Sequence, residues 1–480
     1  MKKVFQLVLF IFFLALLVYS CRKETFTNSS EDKLNFSTDS LFFDTVFATI
    51  GSSTHSFKVY NKHNKSIKIS SIALKNGSSS YFRLNVDGVA GSFHKDVEIG
   101  ANDSIFVFAE VTIDPQNTNT PYVIEEQIVF ETNSNIQQVN LIAWGQRAIF
   151  HKPGVGYGAF GIGNETWNSD TPHVVYGIAV VDSGYKLTIS KGAKIFFHGG
   201  STLYVNKHAT LEILGTSSEP VLMQGDRLDP SYEEIPGQWN GIYLSPLSKD
   251  NKIRNAIIKN ATIGIQADTV NGANPTLELR NTWIRNMSKI GLFARGATIK
   301  AYNSIISNCG NYCAALTIGG NYEFNHCTLG NYWSSAYGDR KTPALLINNW
   351  FQSASLQYIA RDLSAASFNN CIIYGSMIGE LSLSEIQGAQ FNYLFNHCVI
   401  KVDKDKISTN GAEYVNCLIN TDPLFENNES NYHLKDGSPA LKAGDVTILT
   451  AGSNLVKLRF DNDGVDRLDG NNPDIGAWEK

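Results

Sequence analysis

A short phrase that recurs seven times in the second half of the chain constrains the fold more than any other feature. In each copy an Asn or His is followed by a small residue, any residue, and Ile or Leu, and successive small residues lie 26, 22, 23, 44, 27 and 19 positions apart. A period of about 22 with short apolar runs predicts a solenoid, because one such unit cannot bury its apolar face alone. Like residues should then stack in columns about 4.8 Å apart. The predicted ladder, whose side chains should bond their neighbours above and below, comprises Asn255, Asn281, Asn303, His326, Asn370, His397 and Asn416.

The size and charge of the chain set further limits. With 480 residues it is too long for one compact domain. Its net charge of −5 and its scattered Lys and Arg residues argue against a nucleic-acid partner, which would need a basic face. Four cysteines fall in the small-residue column of the repeat. An exported chain could oxidise them, but stacked side chains point the same way, which favours buried thiols at Cys327, Cys371, Cys398 and Cys417.

The N-terminus is typical of a processed export segment. Two lysines precede an uncharged run of 17 residues, and Cys21 follows that run. A plain membrane anchor is the alternative, although 17 residues is at the short edge for a span. The pattern resembles a bacterial lipoprotein signal peptide over 1–20, which implies lipid attachment at Cys21 and a polar tether over 21–35. Residues 22–24 resemble the start of surface-exported lipoproteins in Bacteroidetes, so the resemblance implies an outer-membrane lipoprotein, either periplasmic or surface-exposed.

Residues 36–148 predict a β-sandwich, because short strands with alternating apolar residues follow one another between turn signals. The order of phrases, which includes 57–61, 113–115 and 128–133, resembles Ig-like modules of the ASPM/SPD-2/hydin type. Such modules are spacers or adhesive surfaces, so the resemblance implies no catalysis in this part of the chain.

Residues 149–172 are rich in glycine and predict a flexible connector, since they lack the Gly-Lys-Ser/Thr of a phosphate loop. The coils are predicted over 173–430. The stretch 187–223 resembles the opening coils of right-handed parallel β-helix proteins, and the phrases from 421 to 479 resemble the C-terminal signature of secreted proteins of the pectate-lyase-like superfamily. The resemblance implies an all-β protein: an Ig-like β-sandwich, then a right-handed parallel β-helix, then a C-terminal cap over 431–480 that covers the last rung.

One copy of the repeat is missing between 327 and 371, where aromatic and basic residues are frequent. An insertion that projects from the solenoid could stack sugar rings on aromatic side chains and pair cations with uronic carboxylates. The alternative is an irregular coil whose Trp350 and Phe351 pack inward. A second candidate loop, 226–238, carries mixed charges that are more typical of a solvated loop. The candidate ligand-contacting residues are Trp333, Tyr337, Arg340, Tyr358 and Arg361.

Signals for catalysis and metal binding are weak. A polysaccharide lyase needs a base beside a group that neutralises a carboxylate, and no such set can be placed on neighbouring coils. Residues 461–466 put three carboxylates in one loop but lack the EF-hand spacing, so local ion pairing is favoured over calcium, and no metal or other cofactor is expected. Four basic residues on successive coils could form a shared face, although solubility explains them better: Arg280, Arg285, Arg295 and Lys300.

The sequence therefore favours an exported, lipid-anchored, non-catalytic protein whose β-helix binds glycans or other cell-surface ligands. The alternative is a polysaccharide lyase or glycoside hydrolase that acts on an acidic polysaccharide. An aromatic strip favours binding, a basic residue beside clustered carboxylates favours an enzyme, and a purely structural element would have neither. The expected partners are the membrane, through the lipid, and a polysaccharide. The oligomeric state is left open, and the fold alone does not decide among these functions.

Overall fold

The computed structural model describes residues 25–47, 51–114, 122–268, 276–452, 454–470 and 472–480. The predicted signal peptide over 1–20 and the lipid-attachment residue Cys21 lie outside these residues. The chain divides into two compact units, Met1–Arg147 and Ala148–Lys480. Among the described residues, no helix is both long enough and apolar enough to cross a membrane.

The first unit is a β-sandwich, as predicted. One sheet has the order β1-β3-β8-β5-β6 and the other β2-β10-β9-β4-β7, and most neighbouring strands run antiparallel. Alternate residues of each strand point into one apolar core, which includes Phe43, Phe57 and Phe130. The strands, numbered in chain order, are β1 (Asn35–Phe36), β2 (Ser40–Phe47), β3 (His55–Tyr60), β4 (Ile67–Leu74), β5 (Phe82–Val86), β6 (Val89–Gly91), β7 (Phe93–Ile99), β8 (Ser104–Val111), β9 (Tyr122–Thr132) and β10 (Asn135–Gln146).

The second unit is a parallel β-helix, which confirms the predicted all-β class. Three parallel sheets line the solenoid, and each complete coil contributes one short strand to each sheet in turn. Sheet A contains β11 (Ile149–His151), β14 (His173–Val175), β17 (Lys194–Phe197), β20 (Val221–Gly225), β23 (Ala256–Lys259), β26 (Trp283–Arg285), β29 (Ile305–Ser307), β32 (Thr328–Asn331), β37 (Ile372–Gly375), β40 (Val399–Ile400) and β42 (Leu418–Ile419).

The other two sheets complete the coils. Sheet B contains β12 (Ala159–Ile162), β15 (Ile178–Val181), β18 (Thr202–Val205), β21 (Gly241–Leu244), β24 (Ile263–Asp268), β27 (Ile290–Arg295), β30 (Ala314–Thr317), β33 (Leu345–Asn348) and β38 (Leu381–Ser384). Sheet C contains β13 (Glu165–Trp167), β16 (Lys186–Ser190), β19 (Thr210–Leu214), β22 (Asn251–Arg254), β25 (Leu277–Arg280), β28 (Thr298–Tyr302), β31 (Gly320–Asn325), β36 (Leu363–Asn369), β39 (Phe391–Asn396) and β41 (Tyr414–Val415).

The segment 149–172, predicted as a flexible connector, is instead the first coil of the solenoid. Its strands β11, β12 and β13 pair in parallel with β14, β15 and β16 of the next coil. Ile162 and Trp167 are buried in the solenoid core. The prediction failed because three short strands separated by glycine-rich turns have the composition of a linker.

The repeated Asn or His precedes each of the last seven strands of sheet A, from β23 to β42, at the corner where the chain leaves sheet C. All seven ladder residues have a positive φ, between 45° and 52°. Within the described residues, direct bonds along the ladder join Asn370 to His326 (2.9 Å) and Asn416 to His397 (3.3 Å). Other members bond elsewhere, as Asn303 does to the carbonyl of Phe460 (2.9 Å). The small residues that follow point inward, and the column cysteines are free thiols.

The chain after the last coil packs on a flank of the solenoid, whereas the sequence predicts a cap over the last rung. It packs on the outer face of sheet A: Trp478 contacts Trp283 with ring centroids 6.0 Å apart, and the Tyr432 hydroxyl donates to the carbonyl of Gly330 (3.1 Å). We call residues 422–480 the C-terminal segment. Its elements are β43 (Phe425–Asn427), β44 (Asn431–Leu434), α1 (Thr447–Thr450) and α2 (Asn454–Leu458).

Candidate functional site

The long interval between 327 and 371 produces two separate excursions from the solenoid. The first, 332–344, joins β32 to β33 and carries Trp333 and Tyr337, whose ring centroids are 5.6 Å apart. The Tyr337 side chain is 46% exposed, and its hydroxyl donates to the carbonyl of Glu234 (3.3 Å). The two loops that the sequence singled out, 226–238 and 332–344, therefore meet at the corner between sheets A and B.

Arg340 is not available to a ligand, which corrects the sequence prediction. Its side chain is 3% exposed and forms an ion pair with the fully buried Glu380 (2.6 Å). It also donates to the carbonyls of Thr342 (2.7 Å) and Asn331 (2.9 Å). A buried cation with a matched carboxylate fastens the 332–344 excursion to the coil beneath it.

The second excursion is a hairpin of β34 (Trp350–Gln352) and β35 (Tyr358–Ala360), located at the corner between sheets B and C. Tyr358 packs edge-on against Trp350 at 5.1 Å, and the Arg361 guanidinium lies 5.6 Å from the ring of Phe351. Trp350 is half-buried, and its indole N–H donates to the Ser384 hydroxyl (3.0 Å). The predicted contact residues are thus divided between two edges of sheet B.

The four basic residues on successive coils do not share a face. Arg280 and Lys300 lie on sheet C, Arg285 on sheet A and Arg295 on sheet B. Arg285 forms a bidentate ion pair with Glu234, with N···O distances of 2.7 and 2.8 Å. These positions exclude the shared basic face that the spacing suggested.

The carboxylates of the loop 461–466 are used within the C-terminal segment. Asp461 is buried and accepts from the backbone N–H groups of Asp463, Val465 and Glu479. Asp466 pairs with Arg459 at 2.9 Å. Among the described residues, no three metal-ligating side chains come together.

The outer face of sheet B carries a column of side chains that sequence reasoning missed. Tyr204 of β18, Tyr243 of β21, Gln266 of β24 and Phe293 of β27 are paired in register on four successive coils and are half-buried. The rings of Tyr204 and Tyr243 are 5.0 Å apart. We call these four residues, together with Asp268 and Arg295 beside them, the tyrosine strip.

Tight corners hold the strip in register. At the start of β24 and β27, Gly264 and Gly291 have no room for a side chain, since a Cβ on Gly264 would lie 2.6 Å from the carbonyl oxygen of Gly291. A Cβ on Gly291 would lie 2.6 Å from the carbonyl oxygen of Cys313. Glycine therefore lets successive coils stack closely and keeps like positions about 4.8 Å apart.

A polar group lies at one side of the strip. The Tyr243 hydroxyl donates to Asp268 (2.8 Å), and Arg295 donates to the same carboxylate oxygen (3.3 Å). Burial, and next the hydrogen bond to Asp268, raise the pKa of the Tyr243 phenol above its ordinary value. Tyr243 therefore remains protonated at neutral pH and acts as a hydrogen-bond donor, not as a base.

The carboxylates of this face are too far apart for the usual glycosidase pair. Asp182 holds the position equivalent to Asp268 three coils earlier. Three coil spacings amount to roughly 14 Å, whereas the two carboxylates of a glycoside hydrolase lie about 5–9.5 Å apart. Within the described strands of sheet B, no other Asp or Glu points outward. The strip is thus equipped to stack and hydrogen-bond a ligand, and it lacks the hydrolytic pair.

No protein-family model and no curated protein matches the sequence. Among solved structures, the catalytic unit of a GH87 alpha-1,3-glucanase from Streptomyces thermodiastaticus is 9% identical, over 76% of this chain and 88% of that chain, with a TM-score of 0.20. A PapD-like domain of human CEP192 is 10% identical over 26% of this chain and 91% of that chain, with a TM-score of 0.17.

A family 123 glycoside hydrolase from Clostridium perfringens is 9% identical over 23% of each chain, with a TM-score of 0.17. These TM-scores are too low to establish a shared fold. The fold assignment therefore depends on the strand order and pairing of the chain itself.

Proposed function

We propose that this chain is a lipid-anchored protein of the bacterial outer membrane that binds a polysaccharide along the outer face of sheet B without cleaving it. The observation that carries the proposal is the tyrosine strip. Its rings recur on coils whose spacing is comparable with the length of one sugar unit in an extended glycan. Tyrosine faces stack on sugar C–H groups while polar groups at the edge bond sugar hydroxyls.

The polar edge of the strip suits hydroxyl groups better than a fixed charge. Asp268 and Arg295 neutralise each other, and Tyr243 and Gln266 both donate to Asp268. A sugar hydroxyl can both donate and accept, so it fits between such groups without leaving a buried charge unpaired. This supports neutral or weakly acidic glycans as ligands.

The alternative function is a polysaccharide lyase or glycoside hydrolase. In a lyase, a tyrosine such as Tyr243 can act as the base, and an arginine such as Arg295 can neutralise the carboxylate of the substrate. The raised pKa of Tyr243 argues against its use as a base, and the separation of Asp182 and Asp268 argues against a hydrolytic pair.

The test is affinity electrophoresis and calorimetry of the chain against neutral and acidic polysaccharides, with parallel assays for new reducing ends and for unsaturated products. Tyr204→Ala and Tyr243→Ala should each weaken binding about 5- to 10-fold, because a stacked aromatic ring contributes about 1 kcal/mol. Tyr157→Ala, a tyrosine that is 75% exposed on the first coil, is the matched control and should bind as wild type does.

Two outcomes would overturn the proposal. Binding that is unchanged in both strip variants would place the ligand elsewhere. Release of product by the wild type that Tyr243→Phe abolishes would instead establish the enzyme.

A further inference from the structure

The end of the solenoid lacks a strand in one of its three sheets. Past β37, β38 and β39, sheet A continues with β40 and β42, and sheet C continues with β41. Within the described residues, β38 (Leu381–Ser384) is the terminal strand of sheet B, because the chain passes from β40 to β41 through 401–413 without forming one. A terminal strand presents unpaired N–H and C=O groups along its free edge.

A cavity of about 570 Å³ lies against this free edge. Its apolar lining includes Leu381 and Leu383 of β38, and Ile407 from the turn that follows β40. Leu383 and Ile407 pack against the solenoid core yet are only half-buried, and Ile378 is 80% exposed. The apolar core thus reaches the surface where the strand is missing. The C-terminal segment packs on the outer face of sheet A instead.

Among the described residues, the rim of the cavity carries one unpaired positive charge, that of Lys341. Lys406 pairs with Asp403 at 2.9 Å, and both line the cavity. Lys341, which also lines the cavity, is exposed and has no ion pair within the part of the chain that the structure describes. An occupant with a carboxylate opposite Lys341 would match this charge.

We propose that the free edge of β38 and its cavity bind an extended segment of a partner protein, which adds to sheet B as a further strand. Main-chain hydrogen bonds to the edge of β38 hold the segment, and side chains at alternate positions enter the cavity. The partner segment carries apolar residues at those alternate positions and an Asp or Glu that reaches Lys341. This site is independent of the tyrosine strip and of the glycan proposed there.

Two other occupants fit the site less well. The edge of a second copy would bring a second Lys341 toward the first, and its carboxylate at this edge, Asp403, is already paired with Lys406. A glycan typically stacks on aromatic rings, and the described residues that line this cavity include none. A glycan would also leave the N–H and C=O groups along the β38 edge without the main-chain partners that an added strand supplies.

The test is fluorescence anisotropy of the full chain with a labelled heptapeptide that alternates valine and threonine and carries one aspartate. Micromolar binding is expected. Replacing the aspartate by lysine should weaken binding about tenfold, and Lys341→Glu should reverse that preference. N-methylation of alternate peptide amides, which removes the donors without altering the protein, should abolish binding. Ile378→Asp should weaken it, whereas Ile136→Asp, an equally exposed site in the sandwich, should not.

The proposal is overturned if no heptapeptide binds, or if binding is insensitive to both N-methylation and Lys341→Glu. Light scattering tests whether a second copy of the chain occupies the edge. If the chain is a dimer without peptide and Ile378→Asp dissociates that dimer, the edge serves self-association. A polysaccharide whose binding is lost in Ile378→Asp would assign the cavity to a glycan.

Discussion

Each ladder residue turns the chain from sheet C into sheet A with a left-handed backbone. The φ of Asn281 is 50°, and its side-chain oxygen is buried without a partner in the described structure. Asn tolerates this region better than other residues with a side chain, whereas a β-branched residue there is a strained outlier. The backbone conformation therefore explains the recurrent Asn at least as well as bonds along the ladder do.

Substitutions at Asn281 separate these two explanations. Asn281→Gly should change the free energy of unfolding by only a few tenths of a kcal/mol, whereas Asn281→Val should lower it by about 1–2 kcal/mol. Denaturant unfolding followed by circular dichroism measures both. Asn321→Val, on an exposed strand position of sheet C with ordinary φ, is the control and should be tolerated. A large loss in Asn281→Gly would show that the side chain matters more than the backbone.

His326 should make the protein sensitive to acid. Burial lowers the pKa of His326 well below its ordinary value. Below about pH 6.5 this histidine therefore becomes protonated in the unfolded chain but stays neutral in the folded chain. The stability contributed by neutral His326 is complete above that pH and is lost as the pH falls toward the folded-state pKa. The free energy of unfolding should therefore fall as the pH is lowered from 7 to 5.

His326→Asn, which places the more frequent ladder residue at this corner, should remove that loss. Chemical denaturation at pH 7 and pH 5 measures it. His397→Asn changes the same ladder position on another coil, where the ring is partly exposed, and serves as the control. Equal acid sensitivity in wild type and His326→Asn would contradict the assignment.

At the scale of elements, stacked aromatic rings stabilise sheet C near the C-terminal end of the solenoid. Phe324, Phe368 and Phe395 point inward on consecutive strands, with centroids 4.8 and 5.1 Å apart and nearly parallel planes. Phe368 is fully buried between its two neighbours. Phe368→Ala should lower the free energy of unfolding by about 3–5 kcal/mol, and Phe368→Leu by about 1–2 kcal/mol.

The neighbouring Ser367→Ala, on the outward side of the same strand, is the control for Phe368 and should be near neutral. Hydrogen exchange of sheet C amides distinguishes local from global loss, because coils of a solenoid contact only their neighbours. Exchange that rises in every coil to the same extent would contradict this nearest-neighbour picture.

Some elements were predictable and others were not, for identifiable reasons. The last seven strands of sheet A were predictable, because their corner requires Asn or His and a small residue at a regular interval. The tyrosine strip was not, because a loop separates Tyr204 from Tyr243 by 39 positions and sheet B has no comparable corner signature. The first coil was not predicted because glycine-rich turns separate its three short strands and give the segment the composition of a linker. The burial of Arg340 was missed because Glu380, its partner, lies 40 positions away.

At the scale of the whole molecule, the proposed lipid anchor makes a direct prediction. Metabolic labelling with a fatty-acid analogue should mark the wild-type chain. Cys21→Ser should abolish the label and release the chain from the membrane fraction, because the acyl chains on Cys21 provide the stable anchor. Cys417→Ser is the matched cysteine control and should keep the label. Unlabelled wild type would refute the lipoprotein assignment.

One buried cation, Arg467, joins parts of the C-terminal segment to each other and to the ladder on the flank of the solenoid. Arg467 is fully buried, pairs with Glu479 (3.0 Å) and donates to the carbonyl of Ala477 (2.8 Å) and to Asn303 of the ladder (3.2 Å). Burial raises the pKa of Glu479 to about 7. A buried ion pair adds little net stability, but removal of Arg467 leaves the Glu479 carboxyl and the Gly476 and Ala477 carbonyls buried without their donor.

Arg467→Ala should therefore lower the free energy of unfolding by about 3–5 kcal/mol and should release the C-terminal segment before the coils unfold. Limited trypsin digestion should then cut between 422 and 480 while the coils remain intact. Arg459→Ala, in the same segment but in an exposed ion pair with Asp466, should leave the unfolding temperature and the digestion pattern unchanged. If Arg467→Ala instead unfolds segment and coils together, the flank contact is part of the cooperative core. Sheet A would then depend on the segment as much as on its own stacking.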